Sequence, residues 1–274
     1  MRRRLGRDRF AVAGAAIILA VGLLAICAPW VTPHDPLQVR TEIRLAPPGT
    51  PGYLLGTDAA GRDILSRLLW GARVSLLMGF VPVVAATLCG VCIGLLTGFY
   101  GGWLDHVVMR VVDVLFAFPP ILLAIGIAAA LGPGISNAML AMAVVLMPHF
   151  VRLVRGTVLS VRAADYVVAA RACGASNRRL LSRHILVNSI TPVIVYSSLE
   201  TGRMIVLAAS LGFLGLGAQP PTPEWGAMLA DGREVLSIAP HVATIPGLVI
   251  FLVTLSLNLL GDGLRDALDP RLTT

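Results

Sequence analysis

Six stretches of the chain, 10–28, 74–97, 111–131, 138–154, 192–214 and 241–260, are each apolar over close to the length a bilayer-crossing helix needs, roughly 20 residues. Backbone polar groups in hydrocarbon must be satisfied within the segment or in a closed barrel, so apolar runs of this length cross as helices. The expected fold class is all-α: a polytopic membrane protein with six transmembrane helices. Composition agrees, since 56% of the 274 residues are hydrophobic and only 14% are charged, too apolar a balance for a soluble domain. Asp113 near the start of the third span and Pro246 inside the sixth soften the edges of those two.

Orientation follows from arginine, because all 22 basic residues are arginines. With the amino terminus inside, Arg2, Arg3, Arg4, Arg7, Arg9, Arg110, the seven arginines of 152–183, Arg265 and Arg271 lie on the cytoplasmic side, and Arg40, Arg44, Arg62, Arg67, Arg73 and Arg233 lie outside. That imbalance predicts both termini in the cytoplasm. The net charge of +7 is then a consequence of topology and of anionic lipid, and calls for no nucleic-acid partner. The first span reads as an uncleaved anchor: it is longer than a signal core, and Pro29 and Trp30 stand where a cleavage site needs small residues.

Chemistry-bearing residues are sparse. Cys27, Cys89 and Cys92 lie within spans and Cys173 in an inner loop, so no outer disulfide framework is available. Cys89 and Cys92 share a helix side and are expected to be small core residues rather than a metal pair. His34, His106, His149, His184 and His241 lack metal-ligand spacing. No metal site, no resident cofactor and no catalytic constellation is expected, so the chain is read as a non-enzyme.

The most informative passage is 165–192, DYVVAARACGASNRRLLSRHILVNSITP, the one long basic, part-polar stretch between spans. Residues 166–173 read as a small-residue helix that Gly174 can end. Ser176 or Asn177 can cap a second, amphipathic helix reaching Leu186, with Leu180, Leu181, Ile185 and Leu186 opposite Arg178, Arg179 and Arg183. A helix, a tight turn and a second helix at a membrane surface make a docking knuckle.

Elsewhere, the outer segment 30–73 begins as a proline-broken loop. Its later part places Ile64, Leu65, Leu68, Leu69 and Ala72 on one stripe with Arg62, Ser66, Arg67 and Arg73 facing away, as in a helix lying in the outer interface, where it touches a partner or anchors the second span. Asp105, Arg110 and Asp113 are expected near the inner surface, paired with one another, and Pro119 with Pro120 should kink or break the third span. On the fifth span Ser197, Glu200, Thr201 and Met204 share a face and Arg203 lies one helical step from Glu200. That face either lines a water-filled path or carries a local ion pair made for packing. The outer turn 210–236 reads as non-helical, rich in glycine and proline.

These residues resemble a known family. The knuckle is similar to the cytoplasmic loop of permease subunits in bacterial ABC importers, whose motif runs Glu-Ala-Ala, three residues, then Gly: Ala169, Ala170 and Gly174 match, and His184, Ile185, Leu186 and Asn188 follow as in the peptide-import branch. Val168 stands where glutamate is usual, and Val187 where proline is usual, which should let the helix run on. LGTDAAGRDILSRLLWGARVSL, FLGLGAQPPTPEWGAML and NLLGDGLRDALDPRL resemble segments of the second, C-type permease subunit of dipeptide, oligopeptide and nickel importers.

The resemblance implies a type I importer permease core at 74–274, with a coupling loop at 155–190, preceded at 1–73 by an anchor helix, a periplasmic loop and the interfacial helix. It implies ATPase-coupling roles for Asp165, Tyr166, Ala169, Ala170, Arg171, Gly174, Ala175, Ser176, Arg179 and His184. The partners it implies are a second homologous permease, two ATPase subunits and a substrate-binding protein, all at a bacterial inner membrane. ATP and Mg belong to the ATPase partners, because a P-loop needs a lysine and this chain has none. Short peptides are the expected cargo; nickel or a nickel chelate, glutathione and opines fit the same branch. An energy-independent channel or a secondary transporter is the distant alternative, disfavoured because proton-coupled carriers place several acids in their spans and only Glu200 clearly lies in one here.

Overall fold

The computed structural model describes residues 8–268; Arg2, Arg3, Arg4, Arg7 and Arg271, counted above for topology, lie outside them. The described residues form helices α1 (Arg9–Val31), α2 (Ile64–Tyr100), α3 (Gly102–Phe116), α4 (Pro120–Leu131), α5 (Ile135–Arg162), α6 (Asp165–Ala172), α7 (Asn177–Phe213), α8 (Trp225–Arg233) and α9 (His241–Leu268). Five of these are long and apolar enough to cross a membrane, and α3 with α4, bent by 95° at their junction, are so only as a pair, giving five crossings or six if the pair is one broken span. The break has a local cause. Pro119 keeps an extended backbone (ψ 130°), as a residue before proline prefers, and Pro120 starts α4 where its missing N–H costs nothing.

Helices α2 and α5 form the central pair. Gly90, Gly94 and Gly98 of α2 present bare backbone to α5: a Cβ at Gly90 would lie 2.3 Å from the Phe150 Cβ, and one at Gly98 would lie 2.8 Å from the Val158 Cβ. Small residues four apart are how helices approach closely where lipid offers no hydrophobic drive. Around this pair Met142, Leu146, Phe150, Val154, Val167, Leu180 and Ile185 build an inner core, while Ile64, Leu68, Trp225, Met228, Val242 and Val253 build an outer one. The start of α1 meets the end of α9, where Gly263 abuts Ala11. Arg162, before the knuckle, donates from Nη1 to the Phe99 carbonyl at 2.7 Å at the end of α2. Arg265 and Leu268 at the end of α9 share a groove with Thr191 and Pro192, just after the knuckle, so both described ends lie at the knuckle's end of the bundle.

Several expectations are corrected. Residues 64–73 are no separate interfacial helix: α2 runs unbroken over 37 residues, about 55 Å, and its first turns stand above the crossing. The stripe Ile64, Leu68 and Ala72 is covered by α8, whose Trp225 is 1% exposed and donates from Nε1 to the Leu68 carbonyl at 3.1 Å. Ser66 and Arg67, expected to face away, are buried. Arg67 lies 3.4 Å from Asp58, which also takes Nε of Arg62 at 2.7 Å. The outer turn contains a helix after all: Glu224 caps α8, its carboxylate accepting from the backbone N–H groups of Gly226 and Ala227, both at 2.8 Å, and from Ser75 Oγ at 3.1 Å. Cys89 and Cys92 are exposed on the outside of α2 rather than in the core, because the glycine face of that helix points inward. Asp105 and Asp113 do not pair with Arg110; they reach across to Arg155 and Arg152 of α5, at 2.5 and 2.8 Å.

Candidate functional site

The knuckle is built by backbone geometry. Helix α6 ends at Gly174, whose φ of +84° is left-handed and costs glycine no Cβ clash. The Ala175 N–H donates to the Ala170 carbonyl at 3.1 Å and the Gly174 N–H to the Arg171 carbonyl at 3.0 Å, the paired bonds of a Schellman cap. Two residues on, Ser176 Oγ accepts from the Arg179 N–H at 3.4 Å and opens α7. The chain reverses within four residues, and Val167, Leu180 and Ile185, all buried, fasten the reversal to the inner core.

Of the residues expected here, Asp165, Tyr166, Ala169, Arg171, Gly174, Ser176 and Arg179 are exposed, and Ala170, Ala175 and His184 are half-buried. Tyr166 and His184 bring their rings within 6.5 Å across the turn, and Arg171 lies over the Phe99 ring at 5.7 Å. Ser176, Arg178, Arg179, Ser182 and Arg183 line an open groove of about 370 Å³. The surface is cationic and pinned from behind, suited to receive a partner's acidic or polar surface.

The second helix of the knuckle and the fifth span are one helix. Residues Leu180–Ile185 wind as a π-helix and pass without interruption into Leu186–Phe213, as Val187 in place of proline allows. A π stretch inside an α-helix is uncommon and recurs at functional positions.

The four path candidates turn inward. Glu200, Thr201 and Met204 are buried, and the half-buried Ser197 shares a hydrogen bond of 3.0 Å with Thr87 Oγ1 on α2. Glu200 also accepts from Arg203 Nη1 at 2.8 Å, with the Arg203 side chain 72% exposed and that of Glu200 4% exposed. The more open stripe of the outer half of α7 carries the exposed Arg203 and Val206, flanked by the half-buried Pro192, Tyr196, Leu199 and Ser210; of these, sequence reading had noted only Arg203. Its spacing of three and four residues was visible; which face the other helices would leave uncovered was not.

A helical bundle of five to six candidate crossings with a fastened cationic knuckle has the architecture of a type I importer permease core. Likeness to solved structures supports that fold: the inward-facing MetNI methionine ABC transporter aligns with a TM-score of 0.62 at 18% identity, over 75% of this chain and 98% of the matched one. The chain belongs to the family of binding-protein-dependent transport system inner membrane components, matched over residues 90–274, and residues 1–48 match the N-terminal TM domain of oligopeptide transport permease C. It is 47% identical to a glutathione transport system permease of Pectobacterium atrosepticum over 98% of this chain and 90% of that one. It is 46% identical to a dipeptide transport system permease of Alkalihalophilus pseudofirmus, over 98% and 88%, and to a di/tripeptide permease of Pseudomonas aeruginosa, over 97% and 89%.

Proposed function

We propose that this chain forms half of the translocation path of an ATP-driven importer of short peptides in a bacterial inner membrane, with both termini in the cytoplasm. The observation that carries this reading is identity of 46–47% along nearly the whole chain to permeases named for dipeptide, di/tripeptide and glutathione transport. Glutathione is itself a tripeptide, so it falls within the same chemical class.

The knuckle is the docking element for separate ATPase subunits, which bind ATP and Mg and carry out the hydrolysis. Asp165, Tyr166, Ala169, Ala170, Arg171, Gly174, Ala175, Ser176, Arg179 and His184 form or shape its contact surface. A second homologous permease closes the path, and a substrate-binding protein delivers peptide to the opposite face. Two features support the coupling role: the turn is fixed to the core by Val167, Leu180 and Ile185, and it continues directly into a crossing helix. A rigid element of this kind converts movement of a docked partner into movement inside the bilayer.

The test is purification of the tagged chain in mild detergent, identification of everything that remains bound, and reconstitution with the binding protein. Recovery of two ATPase chains and a second permease, with ATP-dependent uptake of a labelled dipeptide, is the expected result. A chain that purifies alone, or a complex that takes up nickel but no peptide, refutes it.

A further inference from the structure

The partly open stripe of α7 around Arg203 runs between two grooves. Toward the knuckle, Leu153, Pro192, Tyr196, Leu199 and Arg265 line a cavity of about 420 Å³. Toward the outer end, Val206, Ser210, Phe213, Leu229 and Ile250 line one of about 440 Å³. Arg203 lies between them on the same face, since Leu199, Arg203 and Val206 follow at steps of four and three residues. It is therefore an exposed cation between the two grooves on a crossing helix.

A guanidinium facing lipid at such a position is strongly disfavoured, so Arg203 faces water or another chain. It offers five N–H donors in a fixed fork. Only Nη1 is engaged among the described residues, by Glu200 at 2.8 Å. Glu200 is buried, while the Arg203 side chain is 72% exposed. A guanidinium edge of this kind matches a carboxylate with two parallel hydrogen bonds. The buried Glu200 also weakens the attraction, since its charge opposes that of the guanidinium. A transit site needs that property, because binding must be strong enough for entry and weak enough for release.

We infer that Arg203 is a carboxylate-receiving station in the path, taking the terminal carboxylate of the cargo as it crosses, with Glu200 setting the strength of the grip. This rests on the peptide-importer reading above. Glu200, the residue that sequence singled out, is then a positioning residue and does not touch the cargo.

The test uses the complete reconstituted importer with its binding protein, and compares uptake of one dipeptide with a free carboxyl terminus against the same dipeptide as its amide. The binding protein is identical throughout, so its own preference cancels when the carboxylate-to-amide ratio of a variant is divided by that of the wild type. For E200Q/R203Q, which removes both charges together, the ratio is expected to fall on the order of tenfold, the size of one charge-assisted hydrogen bond. R203K keeps a point charge without the fork and should fall by roughly threefold. E200Q alone should raise the ratio. Ratios unchanged in all three variants overturn the inference while leaving the importer reading intact. Loss of the second permease on purification of E200Q/R203Q also overturns it, because Arg203 would then be holding subunits together. A wild-type complex that imports neither peptide refutes the peptide reading, and this inference with it.

Discussion

Replacing Gly94 by alanine tests the central helix pair directly. A Cβ built there would lie 2.8 Å from the Val151 carbonyl oxygen and 2.8 Å from the Val154 Cβ, whereas ordinary contacts begin near 3.5 Å. Relief requires α2 and α5 to separate by about 0.7 Å, or their side chains to leave their rotamers, and overpacking of this kind costs about 1–3 kcal/mol. The gain from replacing a helical glycine by alanine, about 0.8–1 kcal/mol, offsets part of that. A net loss of up to about 2 kcal/mol is expected, or a fall of up to roughly 8 °C in Tm for a chain of this size. Gly156, on the facing helix, supplies the control, because nothing lies within 4 Å of a Cβ there. The same substitution at Gly156 should be neutral or raise Tm by a few degrees. Thermal unfolding of the purified protein in detergent, followed by tryptophan fluorescence, reads both. If G94A and G156A shift Tm in the same direction by the same amount, close glycine packing is not what joins α2 to α5.

Other expectations follow from the outer tie and the knuckle. Asp58→Ala strands the buried Arg67, which keeps only Asp231 at 3.9 Å, and should cost about 3–5 kcal/mol; Asp231→Ala, at a side chain 47% exposed, should cost under about 1 kcal/mol. Similar losses from the two in chemical unfolding would contradict the network. Burial raises the Glu224 carboxyl above its usual range, so the folded state holds that proton more tightly than the unfolded one. The stability it lends is complete at pH values below the unfolded pKa and fades as pH rises through the folded value. Glu224→Gln should flatten that decline at pH values above the usual carboxylate range, at a cost near 1 kcal/mol for the Ala227 N–H left without its acceptor; an unchanged pH slope counts against it. Gly174→Val forces a β-branched residue to a φ of +84°, a strain of about 1–3 kcal/mol. Insertion should survive while uptake per ATP hydrolysed falls severalfold, and normal coupling would show that the turn does not transmit motion.

What the sequence disclosed and what it hid divide along physical lines. The long crossings were legible because hydrocarbon leaves each span no bonding partner but itself, and the breaks at Pro119–Pro120 and Gly174 were legible because backbone chemistry at those residues is local. Residues 64–73 misled because an apolar stripe looks the same whether lipid or another helix covers it, and the cover, Trp225, comes from a segment over 150 positions away. The charges of α3 chose α5 over their own helix for the same reason: pairing across helices leaves no periodic trace. Glu200 and Arg203 lie three positions apart, and only the placement of α5, α9 and α2 around α7 decides that the acid is hidden and the base is shown.

The unbroken winding of α7 bears on timing. Arg179, at the knuckle, and Arg203, between the grooves, belong to one helix of 37 residues, about 36 Å apart along its axis. The stretch between them holds a π segment, Leu180–Ile185, and an interior proline, Pro192, the two features at which helices bend. A tilt imposed at the knuckle is therefore passed along one continuous backbone with a hinge point built into it. Grip on the cargo and closure of the motor would then be linked through a single jointed lever, the angle at its joint setting how much of one reaches the other.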